Sequence, residues 1–380
     1  MKAKVFSFLI VSLLITCIVP AFNLAERVRE GNYKKLGWKK ISTLYTVDEV
    51  LPYFGIKAYS HGLSINSGSA FIGKDNWLFL GDNFGDPSFL AESITAKREG
   101  LSPERVVKMS KVIIWMNTWG EWFRKNGARD FRFMIGPDKE VIYPEYLPDW
   151  ADLAPAQFSD ILPAILPKDL FIDLYKPLKE TKAKYAKAEK PLSIYYRTDT
   201  HWNSIGAWTA FSELAKSLGT TQPDIKWPIR EGLGDVAKTE PRLGGDLSRF
   251  LHIETQIRDT EVTLNFDSEF KPDTRYYNYL TGEESIDNSI YVKLSLRFPL
   301  LTKTSNSLNQ KKVLWLHDSF GIWMYPFMEA TFSEILHVHP KNSNPQAIME
   351  MAKSFKPDYV IVTNVERLLL AKEFFGIPPQ

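Results

Sequence analysis

Short apolar runs that end in polar turn residues alternate with longer helical segments over most of this sequence. The runs Phe131–Ile135, Val313–Leu316 and Tyr359–Val362 have the length of buried strands, and helix-start residues stand at Ser102 and Pro345. Strands that alternate with helices are typical of a parallel sheet covered by helices on its faces. The sequence therefore predicts an α/β fold with a mostly parallel sheet flanked by helices. In such folds the chemistry lies beyond the carboxyl ends of the strands.

One large domain is predicted over residues 65–380, after a mixed lead-in at 25–64. It opens with a β-hairpin in which residues 69–72 and 77–80 flank a turn. From about 255 to 300, polar and apolar residues alternate, and this pattern predicts a β-rich insertion. The chain has 380 residues, of which 44% are apolar, so it can bury a sizeable core.

The N-terminus differs from the rest of the chain. Lys2 and Lys4 precede the uncharged run Val5–Phe22, and a small-residue cleavage pattern ends at Ala21. We expect residues 1–24 to be a signal peptide or an N-terminal membrane anchor, which would place the domain in the periplasm or on the outer face of the inner membrane. The only cysteine, Cys17, lies in this segment, so the domain is expected to contain no disulfide and no cysteine nucleophile.

Charge and motif content exclude several functional classes. The chain has 47 basic and 45 acidic residues, which gives no sign of a nucleic-acid partner. It has no Walker or dinucleotide-binding glycine pattern, and we expect no cofactor. His337 and His339 alternate on a predicted strand and could bind a metal, but no third ligand lies nearby in sequence. We therefore interpret them as core or edge histidines and expect no metal site.

The first candidate for chemistry follows the strand Val313–Leu316. Ser319 stands on the tight turn of the segment 317–321, at the sheet edge, where a nucleophile would be exposed. The alternative is that Asp318 and Ser319 only cap the next helix, since both residue types are good caps.

The second candidate is Asp199 with His201. Serine needs a base at neutral pH, and histidine is the usual one. Asp199 is close enough in sequence to orient the His201 ring if both lie in a loop. The alternative is a helix start, with Asp199 or Asn203 as the cap and His201 on the surface.

Taken together, these segments resemble the SGNH-hydrolase-like domain of the alginate O-acetyltransferase family, the AlgJ/AlgX type, and the wider exported family named for an Asp-His-His-Trp-like motif. The similarity covers roughly residues 65–370. Its motifs occur in the family's order at residues 73–79, 137–145, 198–203, 245–247, 317–321 and 357–367.

The resemblance implies roles for individual residues. Ser319 would be the nucleophile, His201 the base, and Asp199 the acid that orients the base. Tyr325 falls where the family has an active-site tyrosine. The oxyanion hole would use the amide of Ser319, with a second donor near Gly245.

One position departs from the family pattern, and two tryptophans lie close to the proposed triad. His317 stands where many relatives have a small residue, and it could narrow the turn or alter the acyl pocket. Trp202 and Trp323 are candidate contacts for a sugar ring, together with Tyr325, or else they are core residues.

We therefore expect an exported O-acetyltransferase that acts on an exopolysaccharide or another cell-surface glycan. The family implies a membrane-bound O-acyltransferase as the acetyl supplier, and other exopolysaccharide secretion proteins as partners. Two alternatives remain open. One is a carbohydrate esterase with the same triad, and the other is a non-catalytic glycan-binding scaffold.

Overall fold

The computed structural model describes residues 2–29, 45–48, 50–83, 93–285, 298–339 and 343–369. The helices are α1 (Lys2–Arg29), α2 (Leu51–Tyr59), α3 (Ile94–Glu99), α4 (Pro103–Lys125), α5 (Lys139–Ile142), α6 (Phe158–Ile165), α7 (Tyr175–Ala186), α8 (Ser204–Thr221), α9 (Asp246–Phe250), α10 (Phe266–Glu269), α11 (Tyr325–Thr331), α12 (Pro345–Phe355) and α13 (Glu366–Leu369). The strands are β1 (Ala70–Ile72), β2 (Leu78–Leu80), β3 (Asp130–Gly136), β4 (Phe171–Ile172), β5 (Val236–Leu243), β6 (Arg258–Leu264), β7 (Thr274–Asn278), β8 (Glu284–Ser285), β9 (Leu300–Thr304), β10 (Asn309–His317), β11 (Phe332–Val338) and β12 (Tyr359–Val365). Among the described residues, the helices lack an apolar stretch of the length that spanning a membrane requires.

The main sheet has eight strands in the order β4-β3-β12-β10-β11-β9-β7-β8. The first five run parallel to one another, and the last three are antiparallel to their neighbours. This architecture confirms the predicted α/β class. The β-rich insertion supplies β6, β7 and β8, and β7 and β8 lengthen the sheet at one edge. Its residues 286–297 lie outside the described part of the chain.

The main sheet is covered by two apolar layers, one on each face, and a smaller apolar cluster packs around β1, β2 and α9. Strand β10 contributes to both layers, because successive side chains of a strand point to opposite faces of the sheet. Val313 and Trp315 belong to the layer covered by α8 and α11, and Leu314 and Leu316 belong to the layer covered by α4 and α12. All four side chains are buried.

Local sequence signals place most element boundaries correctly. The hairpin β1–β2 forms as predicted, and α4 begins after Ser102, whose hydroxyl accepts a hydrogen bond from Arg105 N at 3.3 Å. The helix α8 contains Gly219 near its end but continues past it to Thr221. A Cβ at Gly219 would lie 3.3 Å from Trp227 Nε1, so this glycine allows close packing and does not end the helix.

Three neighbouring parallel strands, β3, β12 and β10, end at the same edge of the sheet. The residues that follow them include Lys139, Arg367 and Ser319, respectively. Parallel topology therefore collects polar side chains from three distant parts of the sequence at one edge.

Candidate active site

The turn at residues 317–321, at the end of β10, carries the candidate nucleophile Ser319 and is called the nucleophile turn. Asp318 holds this turn in place. Its Oδ1 accepts from Phe320 N at 2.8 Å, and its Oδ2 accepts from Val365 N at the end of β12 at 2.7 Å. Asp318 thus acts as the helix cap that the sequence allowed. Ser319 has no capping role, so its half-buried hydroxyl is left for another partner.

A tight loop carries the second half of the site. Tyr195 and Trp202 form an isolated β-bridge, and Tyr196 N donates to His201 O at 3.2 Å across the loop. The cap of the following helix is Asn203, whose Oδ1 accepts from Ile205 N at 3.0 Å. Because Asn203 fills this position, Asp199 is not needed as a cap.

The loop and the turn bring three side chains into one hydrogen-bonded line. Ser319 Oγ lies 2.7 Å from His201 Nε2, and His201 Nδ1 lies 2.6 Å from Asp199 Oδ1. The carboxylate partner assigns the proton to Nδ1, so Nε2 accepts from the Ser319 hydroxyl. Ser319 and His201 are 118 residues apart in sequence.

Asp199 is held from several sides. His201 N donates to its Oδ1 at 3.2 Å and Asp246 N to its Oδ2 at 3.2 Å, while Arg242 Nη2 lies 3.8 Å from Oδ2. Burial alone would raise the pKa of Asp199, but the charge and hydrogen bond of His201, with the charge of Arg242, hold this pKa far below its usual value. Asp199 is therefore a carboxylate at neutral pH.

The charge of Asp199 acts in turn on His201. Burial alone would lower the pKa of His201, but the charge and the hydrogen bond of Asp199 raise it above the ordinary 6.5. A raised pKa makes His201 a stronger proton acceptor, and the carboxylate stabilises the imidazolium that then forms.

A second carboxylate, Asp246, lies beside the pair, with Oδ2 3.7 Å from His201 Nδ1. It accepts from Thr200 N at 2.7 Å and from Thr200 Oγ1 at 2.6 Å. Burial and the charge of Asp199 raise the pKa of Asp246. Asp246 therefore holds Thr200, which lies between Asp199 and His201, and stabilises the conformation of the loop.

Lys139 hydrogen-bonds to the backbone of the same loop and was not predicted as a site residue. Its buried ammonium donates to the carbonyl oxygens of Tyr196, Arg197 and Asp199 at 3.2, 3.1 and 2.8 Å. Burial lowers its pKa to about 8. Within the sequence, its only signal was its place in the motif segment 137–145.

Arg242, Tyr196 and Trp323 pack against one another beside Asp199. The Arg242 guanidinium lies 4.0 Å from the centre of the Tyr196 ring and 5.7 Å from that of Trp323. The two rings are 5.2 Å apart, and Trp323 is half-buried. Trp323 and the half-buried Arg242 therefore lie near Asp199, and Arg242 was not foreseen.

Three other predicted residues do not occupy the roles assigned to them. Trp202 is fully buried, and its Nε1 donates to Phe320 O at 3.1 Å, so its ring offers no face to a sugar. Gly245 N already donates to Thr198 Oγ1 at 3.0 Å and is therefore not a free oxyanion donor. Tyr325 is buried behind the nucleophile turn, with its hydroxyl 3.2 Å from His317 Nε2.

Among the described residues, one group has the proximity that a metal ion would need. The ligand atoms of Asp199, His201 and Asp246 lie within 4.8 Å of one another. Each of these side chains already has a hydrogen-bond partner in the loop or in Ser319. His337, the histidine considered as a ligand, is fully buried and lies 3.1 Å from His317 instead.

Comparisons with known proteins show similarity in part of the sequence and in the fold. Residues 119–271 match the family model described as an SGNH hydrolase-like domain, acetyltransferase AlgX; the matched range includes Asp199 and His201 and ends before Ser319. A probable alginate O-acetylase AlgJ of Pseudomonas fluorescens is 30% identical over 128 residues, which are 32% of this chain and 29% of that protein. The match thus spans less than a third of the curated relative.

Two solved structures show the same fold at low sequence identity. PatB1 of Bacillus cereus is 15% identical, with a TM-score of 0.55 over 80% of this chain and 98% of that one. A DHHW family protein of Eubacterium siraeum is 17% identical, with a TM-score of 0.51 over 83% and 96% of the two chains. The chain thus shares its fold with these two proteins, and its residues 119–271 are similar to the SGNH hydrolase-like domain of acetyltransferase AlgX.

Proposed function

We propose that this protein is an O-acetyltransferase that moves an acetyl group, through an acetyl-Ser319 intermediate, onto hydroxyls of an exopolysaccharide or another cell-surface glycan. The observation that carries the proposal is the continuous line from Asp199 through His201 to Ser319, with contacts of 2.6 and 2.7 Å. The matched family model and the curated relative are both named as acetyl-transferring enzymes, which supports the reaction class.

In the first half-reaction, His201 Nε2 takes the hydroxyl proton of Ser319 while Oγ attacks the carbonyl carbon of the acetyl donor. The carbonyl oxygen becomes an oxyanion, which the Ser319 N–H can stabilise. Collapse of this intermediate breaks the bond to the donor's leaving group, and that group receives the proton from His201. Acetyl-Ser319 remains, and Asp199 keeps the Nδ1 proton of His201 in place throughout.

In the second half-reaction, a sugar hydroxyl gives its proton to His201 and attacks the acetyl carbonyl. The acetyl–Oγ bond breaks, and Ser319 recovers its proton from His201. Water in place of the sugar would make the protein an esterase, so the choice depends on sugar binding and water exclusion. Trp323 and Arg242 are half-buried beside the triad and are the residues we expect a glycan to contact.

We further propose that the reaction takes place outside the cytoplasm, in the periplasm or on the outer face of the inner membrane. Support for this location comes from the sequence of residues 1–24, which lie within α1, and their role as signal or anchor remains a prediction. A membrane-bound O-acyltransferase would supply the acetyl group there, and other exopolysaccharide secretion proteins would be the remaining partners.

The test compares the full chain with Ser319→Ala in p-nitrophenyl acetate turnover, with and without candidate oligosaccharides analysed by mass spectrometry. Ser333→Ala is a matched control, because Ser333 is another half-buried serine at the opposite, amino-terminal end of a parallel strand. Phenylmethanesulfonyl fluoride adds a covalent readout, since a PatB1 structure contains a sulfonyl adduct.

We expect turnover and sulfonylation to require Ser319, and an acetylated sugar to form when the acceptor is present. Ser319-dependent release of free acetate alone, across all acceptors, would favour the esterase. Equal background rates in wild type and Ser319→Ala would refute the triad and favour the glycan-binding scaffold.

A further inference from the structure

A line of buried polar side chains lies behind the nucleophile turn, and the triad does not use it. His317 ends β10, His337 lies on the neighbouring strand β11, and Thr302 lies on β9 beyond it. His317 Nε2 is 3.1 Å from His337 Nδ1, and His337 Nε2 is 3.2 Å from Thr302 Oγ1. All three side chains are fully buried.

The partners of these histidines assign their tautomers. His317 Nδ1 lies 2.7 Å from the carbonyl oxygen of Asp318, which can only accept, so Nδ1 carries the proton. His317 Nε2 then accepts, both from His337 Nδ1–H and from the Tyr325 hydroxyl at 3.2 Å. His337 Nε2 accepts in its turn from the Thr302 hydroxyl at 3.2 Å, and it lies closer to that hydroxyl than the other acceptor, Ile335 O, at 3.4 Å. Every donor in the line thus points toward Asp318.

The line ends on the peptide group that supplies the proposed oxyanion donor. The carbonyl of Asp318 and the N–H of Ser319 belong to one trans peptide, in which they point in opposite directions. The Asp318 carbonyl is fixed on the buried side by His317 and by Gly321 N at 3.2 Å. Within the described part of the chain, the Ser319 N–H has no hydrogen-bond partner and faces away from that side.

We propose that His317, oriented by His337 and Thr302, is a positioning residue that fixes and polarises the Asp318–Ser319 peptide so that its N–H stabilises the oxyanion. The inference rests on the proposed acetyl transfer through Ser319. A donor to the carbonyl of a peptide strengthens the N–H of the same peptide, because hydrogen bonds in a chain polarise one another.

The surroundings suit this role. Burial lowers the pKa of His317 to about 4 and that of His337 well below its usual value, so both rings stay neutral in the assay range and keep these tautomers. Gly321 leaves room for the His317 ring, since a Cβ there would lie 2.6 Å from Nδ1. A core position without such a task would be filled at lower cost by an apolar side chain.

The test uses two substitutions of equal size. In His317→Asn, the side-chain amide nitrogen occupies the same place along the side chain as Nδ1 and can still donate to the Asp318 carbonyl. In His317→Leu, the shape is similar but the donor is lost. We expect Leu to lower kcat for p-nitrophenyl acetate by about 10- to 100-fold, with KM within about twofold, and Asn to stay within about threefold of wild type.

Each result decides the matter. Ser319-dependent turnover that is equal in the Leu and Asn variants would overturn the inference and leave the proposed function intact. Equal rates in wild type and Ser319→Ala would overturn both. A measurement on the wild-type protein tests the inference even if the variants do not fold. In ¹⁵N-histidine NMR we expect His317 as the neutral Nδ1–H tautomer, and an Nε2–H tautomer at this residue would refute the inference.

Discussion

Glu329 gives a prediction that does not depend on the catalytic proposal. This residue lies on α11, the helix after the nucleophile turn, and it is buried against β7. Tyr276 and Thr274 donate their hydroxyls to its carboxyl at 3.1 and 3.3 Å. Burial raises its pKa from 4.5 to about 7, because these two hydrogen bonds offset only part of the lost hydration.

The raised pKa fixes the sign of a pH effect on stability. Unfolded Glu329 loses its proton near pH 4.5, whereas the folded protein keeps it until about pH 7. Between these values the folded state binds more protons, so the free energy of unfolding falls as the pH rises. At about 1.4 kcal/mol per pH unit, the loss amounts to about 3 kcal/mol across this window. Glu329→Gln removes the titration and keeps the shape and a hydrogen-bond acceptor.

The assay is urea unfolding at several pH values between 4 and 8, followed by tryptophan fluorescence. Wild type should lose about 3 kcal/mol relative to Glu329→Gln over this range. The exposed Glu231→Gln is the control and should follow wild type. A difference between wild type and Glu329→Gln that stays constant within about 0.5 kcal/mol would refute the reasoning, since a carboxyl with an ordinary pKa would give no such slope.

Three further changes test the site. Lys139→Met removes the donor to three loop carbonyls, so kcat should fall about tenfold or more. Amide exchange at residues 196–199 should become faster, and an unchanged kcat would contradict the proposed support of the loop by Lys139. Gly245→Ala would place a Cβ 2.3 Å from Asp199 Oδ2, and we expect the rate of sulfonylation to fall about 100-fold; a rate equal to wild type would show that the loop relaxes without harm. In a pH–rate profile, kcat/KM should fall as the pH decreases through the pKa of His201, above 6.5, because the imidazolium cannot accept a proton. Asp199→Asn should move the midpoint of this fall to lower pH, and an unmoved midpoint would assign it to another group.

Local signals singled out Ser319, Asp199 and His201, but each signal also allowed a capping or surface role, and the resemblance was needed to join the three in one site. Ser319 follows directly after a strand, and Asp199 and His201 are two positions apart in one loop. The alternative for each segment was a helix-capping role, and in each segment a neighbouring residue fills that role. Asn203 caps α8, and Asp318 caps the nucleophile turn. Asp199 and Ser319 are therefore not used as caps, and both can hydrogen-bond to His201.

The supporting residues could not be found in this way, because their contacts depend on the tertiary fold. Lys139 holds carbonyls about 60 residues away, and Arg242 reaches Asp199 from β5. Trp202 shows the opposite error. It is adjacent to His201, but neighbouring side chains of an extended segment point to opposite sides, and its ring therefore enters the core. Alternation likewise predicted strands in the insertion but not that β7 joins the main sheet next to β9.

The arrangement explains why Ser319 occupies this particular strand end. Acyl transfer makes two demands at the nucleophile: a proton must leave Oγ, and charge must be accepted on the acetyl oxygen. Asp199 and His201 meet the first demand from the loop before α8. His317, with His337 behind it, meets the second from inside the sheet, through the peptide that precedes Ser319. The two hydrogen-bonded lines approach from opposite sides, so a change in one can be measured with the other intact. A His317→Leu protein should therefore keep the raised pKa of His201 in its pH–rate profile while its kcat falls, which separates charge stabilisation from proton transfer.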